Sequence, residues 1–97
     1  MVNEEKKKIA ENEILIGSKD FLKYVRSVQF LFEKKGMKSI VLKARGTNII
    51  KAVSIALASK NKFVKDIKIG QITIGSETFD KEGKEIFVSS IEIILSK

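Results

Sequence analysis

Hydrophobic and polar positions along this chain repeat with two different periods. Residues 12 to 17, NEILIG, form a short apolar run of strand type that ends at a glycine. From residue 21 the spacing changes: Phe21, Leu22, Val25, Val28, Gln29 and Phe32 recur three and four apart, which predicts a helix running to about Lys35. Ser18 is placed to cap it, Asp20 lies near its positive end, and Gly36 fits the left-handed position just past a helix terminus. Residues 38 to 45 alternate as a strand, with Ile40 and Leu42 on one face and Val41, Lys43 and Arg45 on the other. Gly46 then turns the chain into a second helix, capped by Thr47 or Asn48. Its expected buried stripe is Ile49, Ile50, Val53, Ala56 and Leu57, and its expected end is near Lys60.

A polar link over residues 61 to 66 leads to two β-branched runs, 67 to 78 and 85 to 95, which flank FDKEG. Gly83 in so short a polar loop signals a hairpin. Both runs change phase. Ile67 and Ile69 are odd but Ile72 and Ile74 even; Ile86 and Val88 are even but Ile91, Ile93 and Leu95 odd. Either bulges sit near Gly70 and Ser89, or the hairpin bends so that its base is buried on one face and its tip on the other. The order strand, helix, strand, helix, strand, strand predicts an α/β fold, an α+β two-layer sandwich. It has a four-stranded mixed sheet, two helices on one face and a protruding hairpin.

The chain has 97 residues and no Gly-, Ser- or Pro-rich linker, so one domain is expected over residues 12 to 97, preceded by a flexible charged tail over 1 to 11. Nineteen Lys and Arg against twelve Asp and Glu leave a formal charge of +7, which favours polyanion partners. Cysteine and histidine are both absent. That excludes disulfides, thiol nucleophiles and Cys-based zinc sites, and it removes the commonest general base at neutral pH. Glu77, Asp80 and Glu92 form no close pair with a base, so neither catalysis, a metal nor another cofactor is expected. No apolar run approaches the roughly 20 residues of a membrane span, and the N-terminal MVNEEKKKIAENE is too charged for a signal peptide. The expected location is cytoplasmic.

The stretch IVLKARGTNIIKAV, residues 40 to 53, carries the most specific chemistry. A strand ending in Lys43 and Arg45 turns at Gly46 straight into a helix that begins with Asn48 and Lys51. Helix N-termini present unpaired N–H groups and the positive dipole end, which suits anions. Parallel pairing of the first two strands sets the Ser18–Lys19 loop beside this corner, so that Lys19, Lys43, Arg45 and Lys51 converge on one cationic surface. The alternative is that Gly46 merely permits a turn and the cations solvate an exposed strand. KARGTN lacks the second glycine and the Gly-Lys-Ser/Thr ending of a P-loop, and no small-molecule substrate is indicated.

Five blocks in register resemble the Alba family of small basic chromatin and RNA-binding proteins: ILIG at 14 to 17, IVLKARG at 40 to 46, KAV at 51 to 53, KNKF at 60 to 63 and VSSIEI at 88 to 93. The resemblance implies the order β1α1β2α2β3β4, a homodimer, and binding of double-stranded DNA or RNA with little sequence preference in the nucleoid. It implies that Lys19, Lys43 and Arg45 contact the backbone, and that the hairpin, with Lys81 and Lys84 as its basic tip, reaches along a minor groove. It places Phe63 at a contact between neighbouring dimers. An alternative within the resemblance is an RNA-binding subunit of a processing or translation-associated complex. Three family cations are replaced: Ser18 stands where the first of two lysines is expected, the one that is acetylated, and Thr47 and Phe87 stand where arginines are frequent.

Overall fold

The computed structural model describes residues 10–97. The expected tail, with Lys6, Lys7 and Lys8, lies almost wholly outside the described residues. In chain order the elements are β1 (Glu13–Leu15), α1 (Phe21–Glu33), β2 (Ser39–Arg45), α2 (Asn48–Ala58), a π-helical turn (Ser59–Phe63), β3 (Lys68–Lys81) and β4 (Lys84–Ser96). The sheet order is β1-β2-β4-β3, with β1 parallel to β2 and the other pairs antiparallel. The predicted four-stranded mixed sheet is therefore present.

The alternation of β2 decides where the helices lie. Ile40, Leu42 and Ala44 pair with Leu95, Ile93 and Ile91 of β4, and all six are buried. Val25, Val28 and Phe32 of α1 and Ala52, Ile55 and Ala56 of α2 cover them, so both helices share this face. Burying each large aliphatic side chain contributes about 1.5–3 kcal/mol. The opposite face stays open and carries Lys43 and Arg45.

Both helices correct the sequence expectation in detail. The N-cap of α1 is Asp20 in extended backbone rather than Ser18, because residues 17 to 19 are held in a separate loop. Its buried face includes Tyr24, whereas Phe21 and Leu22 are exposed. On α2 the expected stripe is rotated: Ala52, Ile55 and Ala56 are buried, whereas Ile50 is 76% exposed and Val53 and Leu57 are exposed too. The small alanines let α2 lie close on the sheet, which turns the larger apolar chains outwards. On β3, Ile72 and Ile74 pair with Ile93 and Ile91 on the helical side yet remain exposed. Among the described residues the helical layer thus ends in an apolar strip left uncovered.

The phase changes in the hairpin have two causes. A register shift between Ile69 and Ile72, at the bulge that is one of the two alternatives, accounts for β3. In β4 pairing is continuous through Ser89, so Ile86 and Val88 lie on the open face and Ile91 to Leu95 alternate on the helical one. Glu82 (φ 52°) and Gly83 (φ 78°) form a two-residue turn of the left-handed kind that matches strand twist. Beyond the pair Arg45–Ser90 no third strand among the described residues lies beside the hairpin, so residues 76 to 89 project as an arm.

Candidate nucleic-acid interface

The register Leu15–Lys43 brings the C-terminal ends of β1 and β2 side by side, and the Ile16 N–H donates to the Lys43 carbonyl at 2.8 Å. The loop after β1 therefore lies against the turn after β2, as the parallel pairing predicts. Two side chains lock it there. The Tyr24 hydroxyl accepts the N–H groups of Gly17 (2.7 Å) and Lys19 (3.3 Å). From the other side, the Lys51 ammonium donates to the carbonyls of Gly17 (2.7 Å) and Lys19 (3.0 Å) and sits 5.7 Å from the centre of the Tyr24 ring. Lys51 is thus turned inward onto the loop, while Lys19 itself is exposed. Sequence reasoning misses Tyr24, because its role depends on a hydroxyl and a ring serving a loop, which periodicity does not register.

At the corner, Gly46 has φ 59°, a left-handed conformation that strains other residues, and its N–H donates to the Ser89 carbonyl at 2.8 Å. Neither α1 nor α2 has a side-chain cap bond or an acidic residue in its first turn. The Lys23 N–H of α1 donates to the Asp20 carbonyl at 3.0 Å and the Ile49 N–H of α2 to the Gly46 carbonyl at 3.1 Å; the positive ends of both helices still suit an anion. Asn48 lines a cleft of about 450 Å³ on the open side, together with Leu15, Lys43, Arg45, Glu77 and Glu92.

Lys43 and Arg45 lie on the same open face but not alone. The Lys43 ammonium stands 3.3 Å from Glu13 and 3.7 Å from Glu92, and the Arg45 guanidinium donates to Glu77 of β3 at 2.7 Å. Two cations therefore face three carboxylates. All these groups keep solvent contact, so each pair contributes at most about 1 kcal/mol and an incoming phosphate can take a carboxylate's place. Lys81 and Lys84 are direct cross-strand partners on the open side of the arm, flanked by the pair Asp80–Glu85 and by Glu82. Phe63 is 38% exposed at the far end of the molecule, and its carbonyl accepts from the Gln29 amide at 3.1 Å. The structure thus gathers Lys19, Lys43, Arg45, Asn48 and Lys51 around one corner, with Lys81 and Lys84 out along the arm and Phe63 apart. Among the described residues no acidic cluster suited to a metal occurs, and no helix is long and apolar enough to cross a membrane.

The sequence profile of the Alba family matches residues 12–76, from β1 into the arm. The chain belongs to the Alba family. It is 40% identical over 87 residues to the DNA/RNA-binding protein Alba of Picrophilus torridus, covering 90% of this chain and 97% of that one. It is 37% identical over 89 residues to DNA/RNA-binding protein Alba 1 of Archaeoglobus fulgidus, covering 92% and 99%. The structure of Alba from Thermoplasma volcanium superposes with a TM-score of 0.81 at 40% identity, covering 89% of this chain and all of that one. ALBA1 of Trypanosoma brucei shares the fold at a TM-score of 0.75 and 23% identity, over 93% and 72%. Alba membership thus spans the corner, both helices and most of β3.

Proposed function

We propose that this chain is a non-enzymatic architectural protein that binds the phosphate backbone of double-stranded DNA or RNA with little sequence preference and acts as a homodimer. The observation that carries this reading is the locked corner. Tyr24 and Lys51 fix the Gly17–Lys19 loop against the start of α2, so that Lys19, the uncapped helix termini, Lys43 and Arg45 lie at one end of the sheet. The names of the Alba relatives, DNA/RNA-binding proteins, support it. The two-fold partner covers the apolar strip of Ile50, Val53, Leu57, Ile72 and Ile74, side chains that an isolated chain would leave in water. A dimer doubles the cationic corner and presents two arms. Its place in the cell is the nucleoid.

The mechanism is exchange of ion-pair partners and release of counterions. Phosphates displace Glu77 from Arg45 and Glu13 and Glu92 from Lys43, and the condensed cations of the duplex go into solution. If a dimer neutralises about six to ten phosphates, log affinity falls with log salt at a slope of about −5 to −9. Fluorescence anisotropy of a labelled duplex across a salt series tests this; a slope near zero overturns it.

A second reading, in which single-stranded or looped RNA is the main partner, is favoured by Phe87, which is 70% exposed on the arm where the family pattern has arginine. An open aromatic face stacks on unpaired bases. Competition between duplex DNA and a structured RNA at matched salt separates the two readings.

A further inference from the structure

Among the described residues, a group of lysines outside any ion pair lies away from the locked corner. At the corner Lys43 and Arg45 are paired with Glu13, Glu92 and Glu77, with Lys19 and Lys51 beside them, and at the arm tip Lys81 and Lys84 share their short segment with Asp80, Glu82 and Glu85. At the opposite pole of the sheet, Lys34 and Lys35 close α1, Lys38 precedes β2, Lys65 and Lys68 lead into β3, and Lys97 follows β4. All six are exposed, and among the described residues none of them is in an ion pair. Only Glu33 and Asp66 accompany them in these same segments.

The topology gathers these lysines from distant positions in the chain. The Lys97 N–H donates to the Lys38 carbonyl at 3.0 Å, and Lys68 and Ser39 both pair with Ser96. Lys38, Lys97 and Lys68 therefore belong to three neighbouring strand ends, set about 4.8 Å apart from one strand to the next. The turn that carries Lys34 and Lys35 is pinned beside them by the Met37 N–H, which donates to the Leu31 carbonyl at 3.0 Å. Six strongly solvated ammonium groups with little local compensation create a positive potential larger than that of the corner, where three carboxylates offset most of the four cations.

We infer that this pole is a second polyanion-binding surface, and that its ligand is the phosphate backbone of a nucleic acid. The inference rests on the proposed nucleic-acid function and adds to it a contact site some seven strand residues away from the corner, on the order of 20 Å. A surface of flexible lysines without bidentate arginine follows phosphates as point charges and reads no sequence. It accordingly contributes to affinity chiefly through counterion release.

The test is anisotropy of a labelled 30-base-pair duplex across a salt series, using the full chain and three charge-matched double variants: Lys38→Ala with Lys68→Ala at the pole, Lys19→Ala with Arg45→Ala at the corner, and Lys23→Ala with Arg26→Ala on the exposed flank of α1. Circular dichroism confirms that each is folded. The pole variant is expected to lose about two units of salt slope, the corner variant a similar and additive amount, and the flank variant close to none. A pole variant with the wild-type slope beside a weakened corner variant overturns the pole while leaving the nucleic-acid function standing. Equal losses in pole and flank variants also overturn it, since total charge alone would then account for the effect. So does displacement of the duplex by polyglutamate at equal charge concentration, which would make the pole a docking surface for acidic protein. A wild-type chain that fails to bind duplex overturns both readings.

Discussion

Lys51 and Tyr24 grip the same loop from opposite sides, one donating to its carbonyls and the other accepting from its N–H groups. The Gly17 and Lys19 carbonyls lie 2.7 and 3.0 Å from the Lys51 ammonium, and the Gly17 and Lys19 nitrogens lie 2.7 and 3.3 Å from the Tyr24 hydroxyl. Backbone polarity that a loop would otherwise leave to water is satisfied by two side chains, one from each helix. The consequence is that Lys19 departs from a fixed base.

Removing the hydroxyl tests this grip. Tyr24→Phe keeps the buried ring and orphans two N–H groups, so unfolding free energy should fall by about 1–2 kcal/mol. For a domain of this size each kcal/mol lowers Tm by about 4–8 °C. Lys51→Met should cost duplex affinity even though its ammonium faces inward, and Lys51→Arg should restore only part of it, because the fork does not fit two carbonyls served by a single nitrogen. Calorimetry and anisotropy together measure both effects. Unchanged stability in Tyr24→Phe would show the loop to be held by other means.

The pair Arg45–Glu77, at 2.7 Å, makes opposite predictions for its two members. Arg45→Ala should weaken binding to all sequences about equally and reduce the salt slope by about one unit for each phosphate that the arginine would have neutralised. Glu77→Gln should raise affinity by up to about fivefold, the equivalent of the ~1 kcal/mol of an exposed pair that phosphate no longer has to replace. If Glu77→Gln instead weakens binding, the carboxylate serves to aim the guanidinium and does not compete with phosphate.

Ile50 is the point at which to challenge the dimer. At 76% exposed it contributes little to the core of its own chain, so Ile50→Asp should leave the fold intact. Sedimentation should report the parent chain as a dimer at micromolar concentrations and the variant as a monomer, with duplex affinity reduced as well. A dimer that survives the substitution places the two-fold contact elsewhere.

Ser59 offers a stability test unconnected with binding. Its hydroxyl is buried at 0% exposure, without a hydrogen-bond partner among the described residues, where α2 passes into the π-helical turn. Ser59→Ala removes that unsatisfied group at little change in volume and should stabilise the chain by about 1 kcal/mol, read as an increased urea midpoint with an unchanged m-value. A loss of stability would mean that the hydroxyl has a partner, such as a bound water.

What can be read in advance from the sequence depends on the range of the interaction. The faces of β2 follow from a two-residue period, and they correctly set Ile40 and Leu42 apart from Lys43 and Arg45. The bulge near Gly70 and the turn at Gly83 are marked by equally local signals. The buried side of α2 departs from its expected stripe because helical spacing identifies an apolar face without saying whether it meets its own core or another surface; Ala52 and Ala56 take the core and Ile50, Val53 and Leu57 the outside. The convergence of Lys43, Arg45 and Lys19 at one corner is legible from parallel pairing alone. Their carboxylate partners are not, since Glu77 and Glu92 reach them only once the strand order places β4 between β2 and β3.

The margins of the sheet are unequal. On one side β1 offers only three residues, too few to template another chain, whereas β3 on the other side leaves a fourteen-residue backbone ladder half unused. The kink between Ile69 and Ile72 breaks that ladder near its start, and Lys68 and Lys81 stand at its two ends. A stray strand attempting to extend the sheet would lose register within a few residues and meet like charges, so the protein can be concentrated along a polymer without its sheets fusing edge to edge into fibrils.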